Sequence, residues 1–378
     1  MILGIYFNER NFKRLYNKKL EAKMNFLAEE AVKEEVQVLA FSPLNIDWIA
    51  KNINGLIYNA LSKSWELTVY PFPDIIYDRA TFLKNEKEVG GIVRERLSEE
   101  CKIPFINNKS YFNKWETHEV LSMDSAIINY LPYTEKYCHP YQLLDILDKY
   151  NSVYIKDSGG RLGKNIFKLQ KADGGLYILS YQISGTKYSD KLTLQEVHSK
   201  FAAERLLGKN IIIQQGIDVA FLDLHPFDVR ILAQKNELTN WEVVDKSIRI
   251  ASPGSIVTNI SSGGKVEKFD SVIPLLFSNS AFLSDQVDIL VIRVCEALER
   301  KYGMLGELGI DAAIDKSGRV WLIEVNGKPA KLCIYHSSNL ELINRSCRNI
   351  VRYSKLLFKQ RNEKEILCGG SGNCGNEV

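Results

Sequence analysis

The sequence predicts an α/β (α+β) protein of two or three domains, and three observations carry that expectation. The chain has 378 residues, more than a single hydrophobic core usually organises. Residues 1 to about 110 alternate short apolar runs with segments rich in helix formers, the pattern of a small α/β unit. Near the other end, Gly306 to Pro329 reads as two apolar strands joined by Asp315-Lys316-Ser317-Gly318, a turn of the Asp/Gly type.

Composition narrows the class of function. With 45% hydrophobic and 25% charged residues, the chain reads as an ordinary soluble globular protein. A formal net charge of +3 gives no argument for nucleic acid or a membrane surface. No apolar run approaches the length of a membrane span. Met1 to Phe7 reads as a strand without the charged lead and cleavage site of a signal peptide. Seven cysteines, scattered from Cys101 to Cys374 without paired spacing, give no disulfide framework and fit a reducing cytoplasm.

Within the first unit, Ile2–Phe7, Val36–Phe41 and Asp74–Tyr77 read as strands, and Met24–Val36 and Glu88–Cys101 as helices. Pro71 and Pro73 exclude a helix between Tyr70 and Asp74. Asp78 and Arg79 end an apolar strand, a place where ligands gather in α/β sheets. The simpler expectation there is a local ion pair.

From Ser110 to Tyr150 the pattern turns helical, with Lys114-Trp115 near one helix start and Pro140 suited to a first helical position. Ser152–Lys156 and Ile166–Gln170 then read as strands around Asp157 to Asn165, a loop holding Gly159, Gly160 and Gly163. Its backbone N–H groups could approach phosphate closely. It is neither a Walker A loop nor G-x-G-x-x-G, and an ordinary hairpin tip is the plainer reading. Thr193 and Glu196 form a capping box for a helix to about Leu207. Asn210–Gln215, Phe227–Leu232 and Trp241–Ile250 read as strands, with Asp228 and Arg230 on one face. Ser284–Tyr302 and Asn339–Lys359 read as helices with one apolar stripe each, core rather than chemistry. Residues 361–378, with Cys368 and Cys374, read as a flexible tail.

The closing hairpin is the candidate for chemistry. If Ile314 faces Arg319, Asp311 lies opposite Leu322, and Leu322, Glu324 and Asn326 share its face. Glu324 is then a diagonal neighbour of Asp311. Two carboxylates and an amide in an apolar segment fit a hard divalent cation whose shell substrate phosphates complete. A half-exposed strand with a solvated polar face fits equally well on the hairpin alone.

The order of these features resembles the ATP-grasp superfamily from about Lys114 to Pro329, and within it the YheC/YheD family, ATP-grasp proteins associated with the bacterial endospore coat. Carrying the resemblance are Pro73 to Arg79, Lys114-Trp115, Leu131-Pro132-Tyr133-Thr134 and Glu324-Val325-Asn326-Gly327-Lys328-Pro329. It implies an ATP-grasp fold with an N-terminal α/β domain (1–110), a helical connector (111–150), a glycine-rich lid subdomain (151–215) and a core subdomain (216–360). It implies ATP and Mg²⁺ as cofactors. Lys114 and Lys156 would contact the α- and β-phosphates, and Gly159, Gly160 and Gly163 would form the lid loop. Gln215 and Ile217 would present backbone to adenine. Asp311, Glu324 and Asn326 would hold one or two Mg²⁺ ions, with Asn259 supporting that shell. Arg230 and Arg249 would stabilise the transferring phosphoryl group.

Two departures bear on this. Many relatives have Glu where Gln214-Gln215 stands, and Pro329 is followed by Ala330-Lys331 rather than Gly. The implied activity is an ATP-dependent carboxylate–amine ligase that releases ADP, acting on small-molecule or peptide substrates in the cytoplasm. The alternative is a spore-coat structural or nucleotide-binding protein with little turnover, partnered by other coat proteins. The five histidines, His118, His139, His198, His225 and His336, show no metal-ligand spacing.

Overall fold

A computed structural model of the chain describes residues 1–83, 85–160, 166–183, 186–203, 210–252, 258, 264–336 and 339–369. Three six-stranded sheets follow one another along the chain. The first holds β1 (Ile2–Tyr6), β2 (Gln37–Phe41), β3 (Ile46–Asp47), β4 (Asn52–Asn59), β5 (Ser64–Pro71) and β6 (Ile75–Asp78). Strands β2, β1 and β6 run parallel, with β6 at the end of the strand order. Alternate residues enter two cores: Leu3, Ile5, Val38 and Ala40 on one face, Tyr6, Leu39, Phe41 and Ile76 on the other. The helices of this unit are α1 (Glu9–Tyr16), α2 (Glu21–Lys33) and α3 (Lys87–Glu95).

Next come α4 (Lys114–Ser122), β7 (Thr134–Lys136) and α5 (Gln142–Lys149). The stretch read as helical therefore includes a strand, which joins the edge of the second sheet beside β12. Helix α5 begins two residues past Pro140, so the proline precedes the helix instead of opening it. The second sheet continues with β8 (Ser152–Asp157), β9 (Ile166–Lys171), β10 (Tyr177–Ile183), β11 (Thr186–Leu192) and β12 (Ile211–Gln215). Its core is shared with α5 and α6 (Leu194–Ala203). The Thr193–Glu196 capping box is present, with the Thr193 N–H and hydroxyl both donating to the Glu196 carboxylate at 2.8 Å.

The third sheet comprises β13 (Phe221–Leu222), β14 (His225–Lys235), β15 (Trp241–Ile250), β16 (Lys265–Lys268), β17 (Glu307–Ile314) and β18 (Val320–Asn326). On one face it packs against α7 (Phe269–Leu276) and α8 (Ser280–Tyr302), whose stripe Val287, Leu290, Val291, Val294 and Leu298 is buried as its spacing predicts. The chain then forms α9 (Leu332–His336) and α10 (Leu340–Gly369), the latter running past the expected end at Lys359. Leu340, at the start of α10, is exposed. Cys347, Ile350 and Leu357 of its apolar stripe, with Val351 and Tyr353, complete the core beneath the first sheet. The side chain of Cys368, and Cys374 altogether, lie outside the described residues.

The first and third sheets are joined by the segment before α4. Phe105 bridges in parallel to Ile76 of β6, and Asn107 bridges antiparallel to Leu305, two residues ahead of β17.

Candidate active site

The turn of the closing hairpin sets the geometry of everything after it. Asp315 accepts hydrogen bonds on one carboxylate oxygen from the N–H groups of Ser317 and Arg319, and Gly318 adopts φ 85°. Asp315 and Arg319 thereby close the turn, and the first ladder pair beyond is Ile314 with Val320, not Arg319. Ala312 then faces Leu322, and Asp311 faces Glu324, because Ile323 is an extra residue in β18. The expected diagonal relation is thus a direct pair. In an unbroken ladder Asp311 would meet Ile323, and Glu324 would turn to the other face. The bulge brings the second carboxylate round.

Two more strands extend the row. Arg230 of β14 stands opposite Asp311, and Asp228 stands opposite Arg249 of β15. Arg249 clasps the Asp228 carboxylate with two bonds of 2.7 and 2.6 Å and reaches Asp311 at 3.1 Å. Arg230 pairs with the other oxygen of Asp311. Against the cost of burial, the two guanidinium groups hold the Asp311 carboxyl below its usual range. Burial dominates at Asp228 and pushes it up, although Arg249 and the Thr258 hydroxyl favour its charge.

Facing this row is the second sheet. Lys156 of β8 is 9% exposed, and its ammonium donates to the Gln214 side-chain oxygen at 2.6 Å. Burial, with Lys114 assisting, brings its pKa down to about 8, while Glu324 opposes the shift. Gln214 in turn donates to Thr134 of β7. Lys114 opens α4, where the Asn113 side chain caps the helix by accepting from the Trp115 N–H. The Lys114 ammonium joins two regions, donating to the Gly160 carbonyl at 2.6 Å and pairing with Glu324 at 3.2 Å.

Between the two sheets lies a cavity of about 260 Å³ lined by Lys114, Lys156, Gly160, Gln215, Ile217, Arg249, Asp311 and Glu324, all singled out from sequence. Gly159, Arg230 and Asn326 do not line it. Arg230 acts on it through Asp311, and Asn326 stands opposite Gly309 at the open end of the hairpin. Gly163 and Asn259 lie outside the described residues. Sequence reasoning gave no site role to Asp228, Lys168, Tyr154 or Phe221, which also line the cavity. For Asp228 the Asp-x-Arg spacing was the available signal.

Asp78 and Arg79 do not pair with each other, contrary to expectation. Asp78 bonds Arg94 at 2.9 Å and Lys328 at 2.7 Å, whereas Arg79 bonds Glu307 at 3.2 Å and the Pro329 carbonyl at 2.8 Å. Adjacent residues in a strand point to opposite faces, so each finds a distant partner.

The residues fit a magnesium ion with bound phosphate. Donors on the row are hard oxygens, and among the described residues no group of three or more His, Cys, Asp or Glu forms a closed cage. Lys114, Lys156, Lys168 and Arg249 line the cavity together with Asp157, Asp218, Asp228, Asp311 and Glu324, so phosphate oxygens would find cations there and a divalent cation would find carboxylates.

Comparison with known proteins gives the family and the fold. Residues 102–357 match the family described as YheC/D like ATP-grasp. The chain is 29% identical over 338 residues to the endospore coat-associated protein YheD of Bacillus subtilis (strain 168), covering 85% of this chain and 70% of that one. It is 25% identical over 343 residues to YheC of the same organism, covering 90% and 93%. Solved structures share the fold at low identity. The ATP-grasp ligase PsnB with its minimal precursor has a TM-score of 0.55 at 11% identity, covering 93% of this chain and 99% of that one. The D-alanine-D-alanine ligase of Coxiella burnetii scores 0.53 at 11% identity, covering 98% and 99%.

Proposed function

The chain belongs to the YheC/D-like ATP-grasp family, and from that premise we propose that it is an ATP- and Mg-dependent carboxylate–amine ligase. The observation that carries the proposal is the row Arg249, Asp228, Arg230, Asp311, Glu324 facing Lys114 and Lys156 across one cavity. A fold retained only as scaffold has no need of that set in register.

In this reading the second sheet is the lid and the third is the core, with the base held near Gln215 and Ile217. Lys114 and Lys156 take phosphate oxygens as point charges, exchanging Gly160, Glu324 and Gln214 for the ligand. Asp311, Glu324 and Asn326 supply oxygen donors. Magnesium bound there would neutralise the β- and γ-phosphates during transfer. Arg249 and Arg230 balance charge on the moving phosphoryl group, the first from the cavity wall and the second through Asp311. The substrate carboxylate displaces ADP to give an acyl phosphate, and an amine then displaces phosphate to give an amide. Positioning and charge neutralisation suffice, without a protein nucleophile.

The test is thermal melting with and without MgATP on wild type and Glu324→Ala. A ligand at about a hundred times its dissociation constant adds roughly 2.7 kcal/mol to a native state it alone recognises. A shift in wild type that Glu324→Ala loses supports the site, and acids and amines are then screened for ADP release. No shift in either protein sinks the reading. A second reading, a coat-associated protein with little turnover, is favoured by the names of the two relatives. It predicts nucleotide binding without ADP release from any acid and amine pair tried.

A further inference from the structure

Asn107 does not line the cavity, yet it touches both strands of the hairpin that carries the carboxylates, at its open end. It is 8% exposed. Its side-chain oxygen accepts from the Gly306 N–H at 2.7 Å and the Glu307 N–H at 3.0 Å. Its side-chain nitrogen donates to the Glu307 carbonyl at 2.7 Å and the Gly327 carbonyl at 2.8 Å. A primary amide has two donors and two acceptor sites, so its capacity is filled. All four partners are backbone groups at the open end of one hairpin, where β17 begins and β18 has just ended.

We propose that Asn107 is a positioning residue for the metal–phosphate site, fixing the gap between the β17 and β18 backbones on which Asp311, Glu324 and Asn326 are mounted. The turn at Asp315 closes one end of the hairpin, and Asn107 closes the other. Without it the ladder ends at Gly309 and Asn326, leaving the amide donor on a terminal, frayed pair. The connection is stiffened from outside. Asn107 itself bridges Leu305, and the Asn108 N–H donates to Met304 at 2.8 Å. Beyond Gly327, Lys328 bonds the Ala80 carbonyl at 2.8 Å, and Arg79 bonds Pro329. The first unit thus grips the chain on both sides of the ligand set, and the carboxylate spacing is set partly by residues that never meet the nucleotide.

This inference rests on the nucleotide-site reading, and the experiment separates the two. Magnesium is titrated at fixed ATP while the melting temperature is followed in wild type, Asn107→Leu and Asn107→Asp. The leucine removes all four bonds. The aspartate retains acceptors for Gly306 and Glu307 and loses the donors to Glu307 and Gly327, so it reports even if the leucine variant fails to fold. Supporting residues behind metal ligands are typically worth 10- to 100-fold in affinity. The expected result is a half-saturating magnesium concentration raised about tenfold or more in each folded variant. A purely structural asparagine would lower the ligand-free melting temperature and leave that midpoint unchanged, which overturns the proposal alone. Absence of any magnesium-dependent shift in wild type overturns both readings.

Discussion

Asp311 and Glu324 stand directly opposite each other across the closing hairpin, and each is already held by cations of the chain itself. Arg230 and Arg249 take the oxygens of Asp311, and Lys114 takes Glu324. A divalent cation entering alone would meet these positive charges. Mg²⁺ without nucleotide should therefore leave the melting temperature unchanged at concentrations where Mg²⁺ with ATP raises it, because phosphate draws the lysines and arginines off. A shift of equal size with metal alone would contradict this.

Arg249 is buried between two carboxylates. Arg249→Met should destabilise the ligand-free protein by about 3–5 kcal/mol, the usual cost of leaving a buried charge without its partner. Urea unfolding measures it. Adding Asp228→Asn to the same chain should recover part of the loss, since it removes the orphaned charge.

Lys156 gives opposite pH trends with and without ligand. Below about pH 8 the folded and unfolded chains both carry its proton, and the penalty for the buried charge is fully present. Between about 8 and 10.5 the folded chain has released a proton that the unfolded chain keeps, so this group makes the ligand-free protein more stable as pH rises. Phosphate needs the charged form, so the ATP-induced shift should shrink over the same range. Melting curves at pH 7.5 and 9.5 check both trends, and Lys156→Met should remove them.

Gly216 follows β12, and a Cβ there would sit 2.0 Å from the Ser152 hydroxyl oxygen and 2.8 Å from the Ser152 carbonyl. The Gly216 N–H also donates to that carbonyl at 2.8 Å. Gly216→Ala should cost about 1–3 kcal/mol by overpacking and weaken nucleotide binding by moving Gln215 and Ile217. Gly216→Ala with Ser152→Gly should regain only part of the loss, because the contact with the backbone carbonyl of residue 152 remains.

Much of this arrangement was legible before the structure, and the failures have physical causes. The hairpin strands, the Asp-x-Arg face and the lysine at the end of β8 follow from local pattern. Their register does not. Whether Asp311 meets Leu322 or Glu324 depends on how Asp315 closes the turn and on the Ile323 bulge, neither of which hydrophobic alternation encodes. Strand β5 was missed although Trp65, Leu67 and Val69 alternate with Glu66 and Thr68; Leu67 and Val69 are exposed, so the alternation marks no buried face. The partners of Asp78 and Arg79 lie up to 250 residues away, and their adjacency in sequence was the misleading cue.

The contribution of α10 to the core beneath the first sheet has a consequence for biosynthesis. Leu3, Ile5, Val38 and Ala40 leave the ribosome well before Cys347, Ile350 and Val351, which help cover them. With some 260 residues between Asp78 and Leu340, translation at about 5–20 residues per second leaves that apolar face partly bare for roughly 13–52 s. The nascent chain thus carries that partly bare face until α10 arrives.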